Sequence, residues 1–283
     1  MRIVVPEPLD RILRECGSAV IALSGGVDSA VLLAAAREVL GPEALLAVTA
    51  SDAVHPASEV SLAGDLAGML GVPWLSVDCG RLESEEFLRN GPDRCYWCRR
   101  ILNAVLLDIA RERGLHTVID GTTGDDSAEY RPGLRANAEL GVRAPLAEAG
   151  LSKAVIRNLA RIWGLPNWDR PASPCLATRI PYYTRITLAT IDTIQKAEDL
   201  LRSLGFHNVR VRHHGEIARV EVAPQELGKL VRDPVRRRVV KELTDLGYTY
   251  VSADLEGLVS GSLNRSLWRT QAQPHVDSDQ PES

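Results

Sequence analysis

The chain has 283 residues, 45% hydrophobic and 25% charged, the composition of a soluble globular protein. Folding at this length removes roughly three quarters of the unfolded surface from water, so no disulfide staples are required. Lys plus Arg total 33 against 37 Asp plus Glu, a formal charge of −4, and there are only two Phe and six Tyr. That balance argues against a dedicated nucleic-acid partner, which needs a basic surface or a base-stacking platform.

The first ten residues carry Pro6, Glu7 and Pro8 in place of an apolar leader, and no apolar run reaches the length of a membrane span. A cytoplasmic protein with no membrane partner is expected. In chain order, residues 20–23 form a compact β-type run, followed by a loop and a helical stretch over 30–40. Residues 44–49 read as a second strand, 60–70 carry helical spacing, and 73–77 make a third strand. A helix over 101–113 and a fourth strand over 116–120 complete the series. Alternation of this kind predicts the α/β class: right-handed βαβ units, a parallel sheet with helices on both faces, and ligands beyond the carboxyl ends of the strands.

Over 169–183 the rhythm breaks. Pro166, Pro171, Pro174 and Pro181 crowd this stretch and predict an extended loop. A different pattern follows: a helix over 187–204, paired strands over 209–212 and 218–222, mostly helix over 226–246, and a last strand over 248–253. The predicted organisation is a first domain over 1–183 and a smaller C-terminal α+β domain over 184–268. Residues 269–283 are polar without periodicity and are expected to be disordered.

The sharpest local signal is Ser24-Gly25-Gly26-Val27-Asp28-Ser29, between the first predicted strand and the first helix. Two glycines let the backbone turn tightly and approach an anion with no Cβ in the way. The following helix offers that anion free N–H groups and the positive end of its dipole. Ser24 and Ser29 add hydroxyls, and Asp28 is placed to orient Mg2+ or a water. A tight turn with a serine cap would explain a lone Gly-Gly, but here position and residue types agree on a phosphate loop. It is not a Walker A loop, since the Gly-Lys-Ser/Thr ending is absent. The segment resembles the PP-loop of ATP pyrophosphatases. That resemblance implies a site for the β,γ-pyrophosphate of ATP as leaving group while a substrate oxygen attacks the α-phosphorus.

Five cysteines, an odd number, favour thiol, metal or redox use over a disulfide framework. Cys95-Tyr96-Trp97-Cys98 stands at the start of a predicted helix. Its thiols can point the same way as cluster ligands or a redox pair; the alternative is two buried cysteines serving as small apolar residues. Cys16 and Cys79, in predicted helix and strand contexts, are expected to be core residues. Cys175 stands apart in a proline-rich loop between Arg170 and Arg179, where nearby cations would lower a thiol pKa.

SGGVDS, PDRCYWCRR, DGTTGDDSAEYRPG over 120–133 and SPCLATRIPY over 173–182 together resemble the LarE family. These are ATP-dependent sulfur transferases in synthesis of the nickel-pincer nucleotide cofactor of lactate racemase. The likeness continues through VRVRHHG over 209–215 and GSLN over 261–264, and covers nearly all of residues 10–268. It implies an enzyme that uses ATP and Mg2+ to adenylate a carboxylate of a small-molecule nucleotide, pyridinium-3,5-biscarboxylic acid mononucleotide. Ser24, Gly25, Gly26, Asp28, Ser29 and Gly121 would then hold ATP, with Asp126 and Glu129 as candidate Mg2+ ligands. Cys175 matches the sulfur donor, which in one form of the family gives up its own sulfur and becomes dehydroalanine. A second form holds a 4Fe-4S iron-sulfur cluster on three cysteines with an open iron for an extra sulfide. Cys95, Cys98 and Cys175 fit that form, and a cluster is expected here.

Arg210 and Arg212 alternate along a predicted strand and so share a face. With Arg179 they are candidates to grip the substrate phosphate bidentately, with Glu221 as an ion-pair partner. By resemblance a homo-oligomer is expected. A PP-loop tRNA thiolase is the rival enzyme, opposed by a single CxxC and the charge of −4. A non-catalytic ATP-binding module is opposed by the Cys175 loop, since nucleotide sensing needs no thiolate.

Overall fold

Four short, largely apolar runs become strands β1 (Ala19–Ala22), β2 (Leu45–Ala50), β3 (Trp74–Val77) and β4 (Thr117–Asp120), each within about a residue of its predicted span. The computed structural model describes residues 3–125, 132–171, 175–259, 261–265 and 267. The four strands pair in parallel in the order β3-β2-β1-β4. Helices α1 (Glu7–Cys16), α2 (Val27–Leu40), α3 (Ala57–Leu70), α4 (Glu85–Leu88), α5 (Arg94–Arg113), α6 (Pro132–Leu140), α7 (Pro145–Glu148) and α8 (Lys153–Ile162) accompany this sheet.

Both faces of β1, β2 and β4 are covered, which is why these strands read as apolar runs, whereas β3 at the sheet edge alternates with Trp74 and Ser76 exposed. Ala19, Ile21, Leu45, Ala47 and Ile119 face one core with α1, α2 and α8. Val20, Leu46, Val48 and Val118 face a second core with Leu106, Ile109 and Ala110 of α5. Helix α2 is apolar on every side from Ala30 to Ala36 and wholly buried there. Its Leu32 and Leu33 each contribute about 1.5–3 kcal/mol of burial. The chain runs β1, β2, β3 outward and then returns to the other side of β1 for β4. The order therefore reverses between β1 and β4, and the crevice at their carboxyl ends is where ligands of such sheets bind.

The chain forms two compact units, Met1–Ala177 with Arg185–Asp192, and Thr178–Thr184 with Thr193–Ser283. The second unit takes most of α9 (Leu188–Ser203), then β5 (Val209–His214), β6 (Ile217–Val222), α10 (Leu227–Leu230), α11 (Val235–Asp245) and β7 (Tyr250–Ala253). Strands β5 and β6 form an antiparallel hairpin, and β7 joins β6 in parallel. Leu201, Phe206, Val211, Val220 and Leu243 fill its core. The helix expected over 226–246 is divided into α10 and α11 by Pro234, which disfavours helical backbone in the residue before it. Among the described residues no helix is long and apolar enough to cross a membrane. Asp126, Glu129 and the tail over 269–283 lie outside the described residues.

Candidate active site

Helix α2 starts at Val27, three residues earlier than predicted, so Asp28 and Ser29 occupy its first turn and Gly26 is its N-cap. Gly25 has a φ of +78°, in the left-handed region, and a Cβ there would come within 2.9 Å of the Glu59 carbonyl oxygen. Conformation and space both require glycine. The two serines brace the loop: Ser29 Oγ donates to the Gly26 carbonyl at 3.1 Å and accepts from Ser24 N at 3.2 Å. Gly26 N donates to Ser24 Oγ at 3.3 Å. Asp28 is half-buried beside them.

Gly121 follows β4 directly. A Cβ there would lie 2.8 Å from Ser29 N and 2.9 Å from Ser29 Cα. The close approach it permits is therefore to the first turn of α2, where the sequence reading placed nucleotide. Next to it, buried Asp120 accepts from Arg99 Nη1 at 2.9 Å, Asn137 Nδ2 at 2.7 Å and Thr122 N at 3.0 Å. One carboxylate thus ties α5 and α6 to the end of β4.

The CxxC lies in the first turn of α5, as expected, with Cys95 exposed and Cys98 half-buried. Cys175 is also half-buried, and the chain after it is anchored in the first unit. Leu176 N donates to the Val54 carbonyl at 2.9 Å, and Arg94 Nη1 to the Ala177 carbonyl at 3.1 Å. Burial pushes the Cys175 thiol well above its ordinary range; nearby Cys98 adds to this, while Arg94 and Arg81 pull the other way. The expectation that Arg170 and Arg179 would activate this thiol is corrected. Arg170 Nη2 is bound to Glu59 Oε1 at 2.7 Å, and Arg179 is committed to Glu198. Burial, which limits the water that can solvate a thiolate, outweighs the cations that are present.

Arg81 was missed by sequence reading. It is 1% exposed, pairs with buried Asp52, and its Nε donates to the Cys98 carbonyl at 3.4 Å. Burial raises the Asp52 carboxyl, but His55 and Arg81 together outweigh it and leave the group below its ordinary value. Cys79 lies in the loop after β3, not in a strand. It is buried as expected, with its thiol pushed up to about 11 by burial and with Arg81 and Cys98 as neighbours. Cys16 is a core residue, donating to the Ile12 carbonyl at 3.3 Å. Among the described residues, no three His, Cys, Asp or Glu side chains converge in a metal-holding group.

In the second unit the three predicted arginines divide. Arg179 binds Glu198 through Nε at 2.7 Å and Nη2 at 3.1 Å. Arg212 binds Glu221 through Nε and Nη2, both at 2.9 Å, and the Thr178 carbonyl through Nη1 at 2.7 Å. Both guanidinium groups are about 3% exposed, and so deeply buried a charge needs a counterion. Their bidentate forks, expected to face a phosphate, are filled by carboxylates. Glu221 is the ion-pair partner expected of it, while Glu198 carries no sequence signal beyond its place on α9. Arg210 alternates with Arg212 as predicted and is half-buried. Among the described residues it has no hydrogen-bond or ion-pair partner for its side chain. Burial, then Arg212 and Arg179, lower its pKa to about 10.

A glycine loop between β1 and α2 of a parallel α/β sheet, at the point where strand order reverses, defines a PP-loop α/β nucleotide-binding protein. The NAD synthase family model matches residues 9–86. GMP synthase (glutamine-hydrolyzing) of Aeropyrum pernix is 30% identical over 223 residues, 70% of this chain and 42% of that protein. An uncharacterized protein of Synechocystis sp. is 38% identical over 261 residues, 92% of this chain and 97% of that one. The pyridinium-3,5-bisthiocarboxylic acid mononucleotide synthase of Lactiplantibacillus plantarum is 37% identical over 259 residues, 92% of this chain and 93% of that enzyme. The chain belongs to the LarE family of PP-loop enzymes.

Proposed function

We propose that this protein is an ATP-dependent sulfur transferase. It adenylates a carboxylate of pyridinium-3,5-biscarboxylic acid mononucleotide and converts it to a thiocarboxylate for the nickel-pincer cofactor of lactate racemase. The observation that carries this reading is that one structural unit holds both the glycine loop at the sheet's switch point and the Cys175 segment, tied to the residues after β2 through Leu176 and Val54.

In this reading Ser24, Gly25, Gly26, Asp28 and Ser29 receive the β,γ-pyrophosphate of ATP, with Gly121 setting the position of the loop and Mg2+ sharing the phosphate charge. The substrate carboxylate attacks the α-phosphorus and pyrophosphate leaves, its growing charge met by preorganised N–H donors. The acyl adenylate has lost its negative charge, so the Cys175 thiolate can add to the acyl carbon and expel AMP, giving a thioester. Removal of the Cys175 Cα proton by a base then breaks the Cβ–S bond, leaving dehydroalanine in the chain and sulfur on the product. Burial that disfavours a free Cys175 thiolate also keeps water from the acyl adenylate.

Residues 184–268 supply the substrate-binding domain, with Arg210 on the substrate phosphate and Arg179 and Arg212 as the braced scaffold beside it. Cys95, Cys98 and Cys175 would be the thiols to hold a 4Fe-4S cluster, but among the described residues they do not converge into a three-thiol group. A cytoplasmic homo-oligomer completes the reading.

The test is intact mass of protein prepared without oxygen, before and after turnover with Mg·ATP and the biscarboxylate mononucleotide. Loss of the elements of hydrogen sulfide at Cys175 identifies that residue as the sulfur source. Unchanged chain mass with more than one sulfur transferred per chain identifies a cluster-borne sulfide instead. No pyrophosphate and no thiolated product overturns the assignment, and a tRNA becomes the next substrate tried.

A further inference from the structure

Asn167 lies in the turn after α8, is 2% exposed, and donates from Nδ2 to the Gly25 carbonyl at 2.9 Å. Its Oδ1 is buried and has no donor among the described residues. A hydrophobic side chain would fill this space without leaving an unsatisfied oxygen, so the amide is kept for its N–H. The turn is itself held from α8. Arg157 donates to the Trp168 carbonyl at 3.1 Å and to the Arg170 carbonyl at 3.3 Å. Arg170 in turn reaches Glu59 of α3 at 2.7 Å, and the Glu59 carbonyl is the atom that crowds Gly25. Gly25 is thus fixed from two directions.

A trans peptide carries its C=O and the next N–H on opposite sides. Fastening the Gly25 carbonyl to Asn167 therefore turns the Gly26 N–H away from the α8 turn. On that side its partner is Ser24 Oγ, at a long 3.3 Å, on an exposed residue. An anion can replace so weak a bond easily.

We propose that Asn167 is a positioning residue for adenylation: it holds the Gly25–Gly26 peptide in the orientation that aims the Gly26 N–H at the pyrophosphate of ATP. This rests on the reading of the loop as a pyrophosphate site. Asn167 touches no substrate; it acts through the loop backbone. Losing it leaves the peptide free to rotate, so nucleotide affinity falls while the thiol chemistry downstream is unaffected once adenylate is formed.

The experiment is calorimetric titration of the full-length protein with magnesium pyrophosphate, for wild type, Asn167→Ala and Asn167→Asp, with melting temperature recorded alongside. Asn167→Ala is expected to bind roughly tenfold more weakly, the loss of one buried hydrogen bond, and to raise the KM for ATP with little change in kcat. Asn167→Asp keeps the shape but at pH 8 sets a carboxylate against the Gly25 carbonyl, and is expected to bind more weakly than Ala. Burial against the Gly25 carbonyl raises the pKa of the new carboxyl above the ordinary aspartate range, so on lowering the pH to about 5 its protonated form regains an O–H donor and should overtake Ala measured at the same pH. Wild type that binds no pyrophosphate overturns the loop reading itself. Wild type that binds, with Asn167→Ala within about twofold of it, or Asp and Ala variants that keep the same ratio at both pH values, overturns the role of Asn167. If the Ala variant does not fold, the isosteric Asp variant is compared with wild type instead: a deficit at pH 8 that narrows at pH 5 supports the role, and an unchanged ratio overturns it.

Discussion

Under the proposed function the two units of this protein meet negative charge by opposite means. The first offers the backbone N–H groups of a glycine loop, which carry only partial charge; that of Gly26 rests on Ser24 Oγ at 3.3 Å. The second uses full guanidinium charges taken almost entirely out of water, and those must be matched at all times: Arg179 by Glu198, Arg212 by Glu221. A buried arginine that is already paired is framework. The guanidinium proposed for the ligand is Arg210, half-buried, its pKa lowered to about 10 by burial first and then by Arg212 and Arg179.

The most severe change leaves both charge devices intact and removes the thiol. Cys175→Ala is expected to abolish thiolated product while ATP-dependent pyrophosphate release continues, followed by product mass spectrometry and a pyrophosphate assay. Breaking the framework comes next. Glu198→Gln strands the Arg179 charge and should cost about 3–5 kcal/mol in denaturant unfolding. The same measurement on Arg81→Met, which leaves buried Asp52 with His55 alone, should give a comparable loss. Asp52 is held below its unfolded pKa, so the stability it lends is complete above about pH 4 and drains away as pH falls through the lower folded value. Arg81→Met should flatten that acid limb.

In the glycine loop the effects should fall on binding before stability. Gly121→Ala drives a Cβ into the Ser29 backbone and, by shifting the loop, is expected to lower kcat/KM for ATP about 10²-fold. Arg210→Ala should raise the KM for the mononucleotide roughly tenfold, one charge-assisted contact, with the KM for ATP and the melting temperature unchanged. A large loss of stability in Arg210→Ala would erase the distinction between framework and spare cation.

The fold was legible because its strands are bounded apolar runs and its loop carries two glycines where a strand meets a helix. Even so, α8 was not anticipated, although its apolar Ile156, Leu159 and Ala160 recur at helical spacing and pack into the first core. The candidate site was half legible. CxxC and the Cys175 loop announce themselves by spacing and setting, whereas Arg81, Asp52 and Asn167 are isolated polar residues that acquire partners only when distant segments meet. Alternation placed Arg210 and Arg212 on one face correctly, yet nothing along the strand distinguishes an arginine that faces a carboxylate from one that does not. The counterion of Arg179 is nineteen positions away on another element.

Glu198 does one thing more than balance charge. Strand β5 is at the margin of its three-stranded sheet, and its Val211 N–H ends on Glu198 Oε1 at 3.1 Å. A marginal strand with spare amides is a template on which a foreign strand can assemble. Here the carboxylate has taken that rung, so a foreign strand finds no continuous ladder past β5.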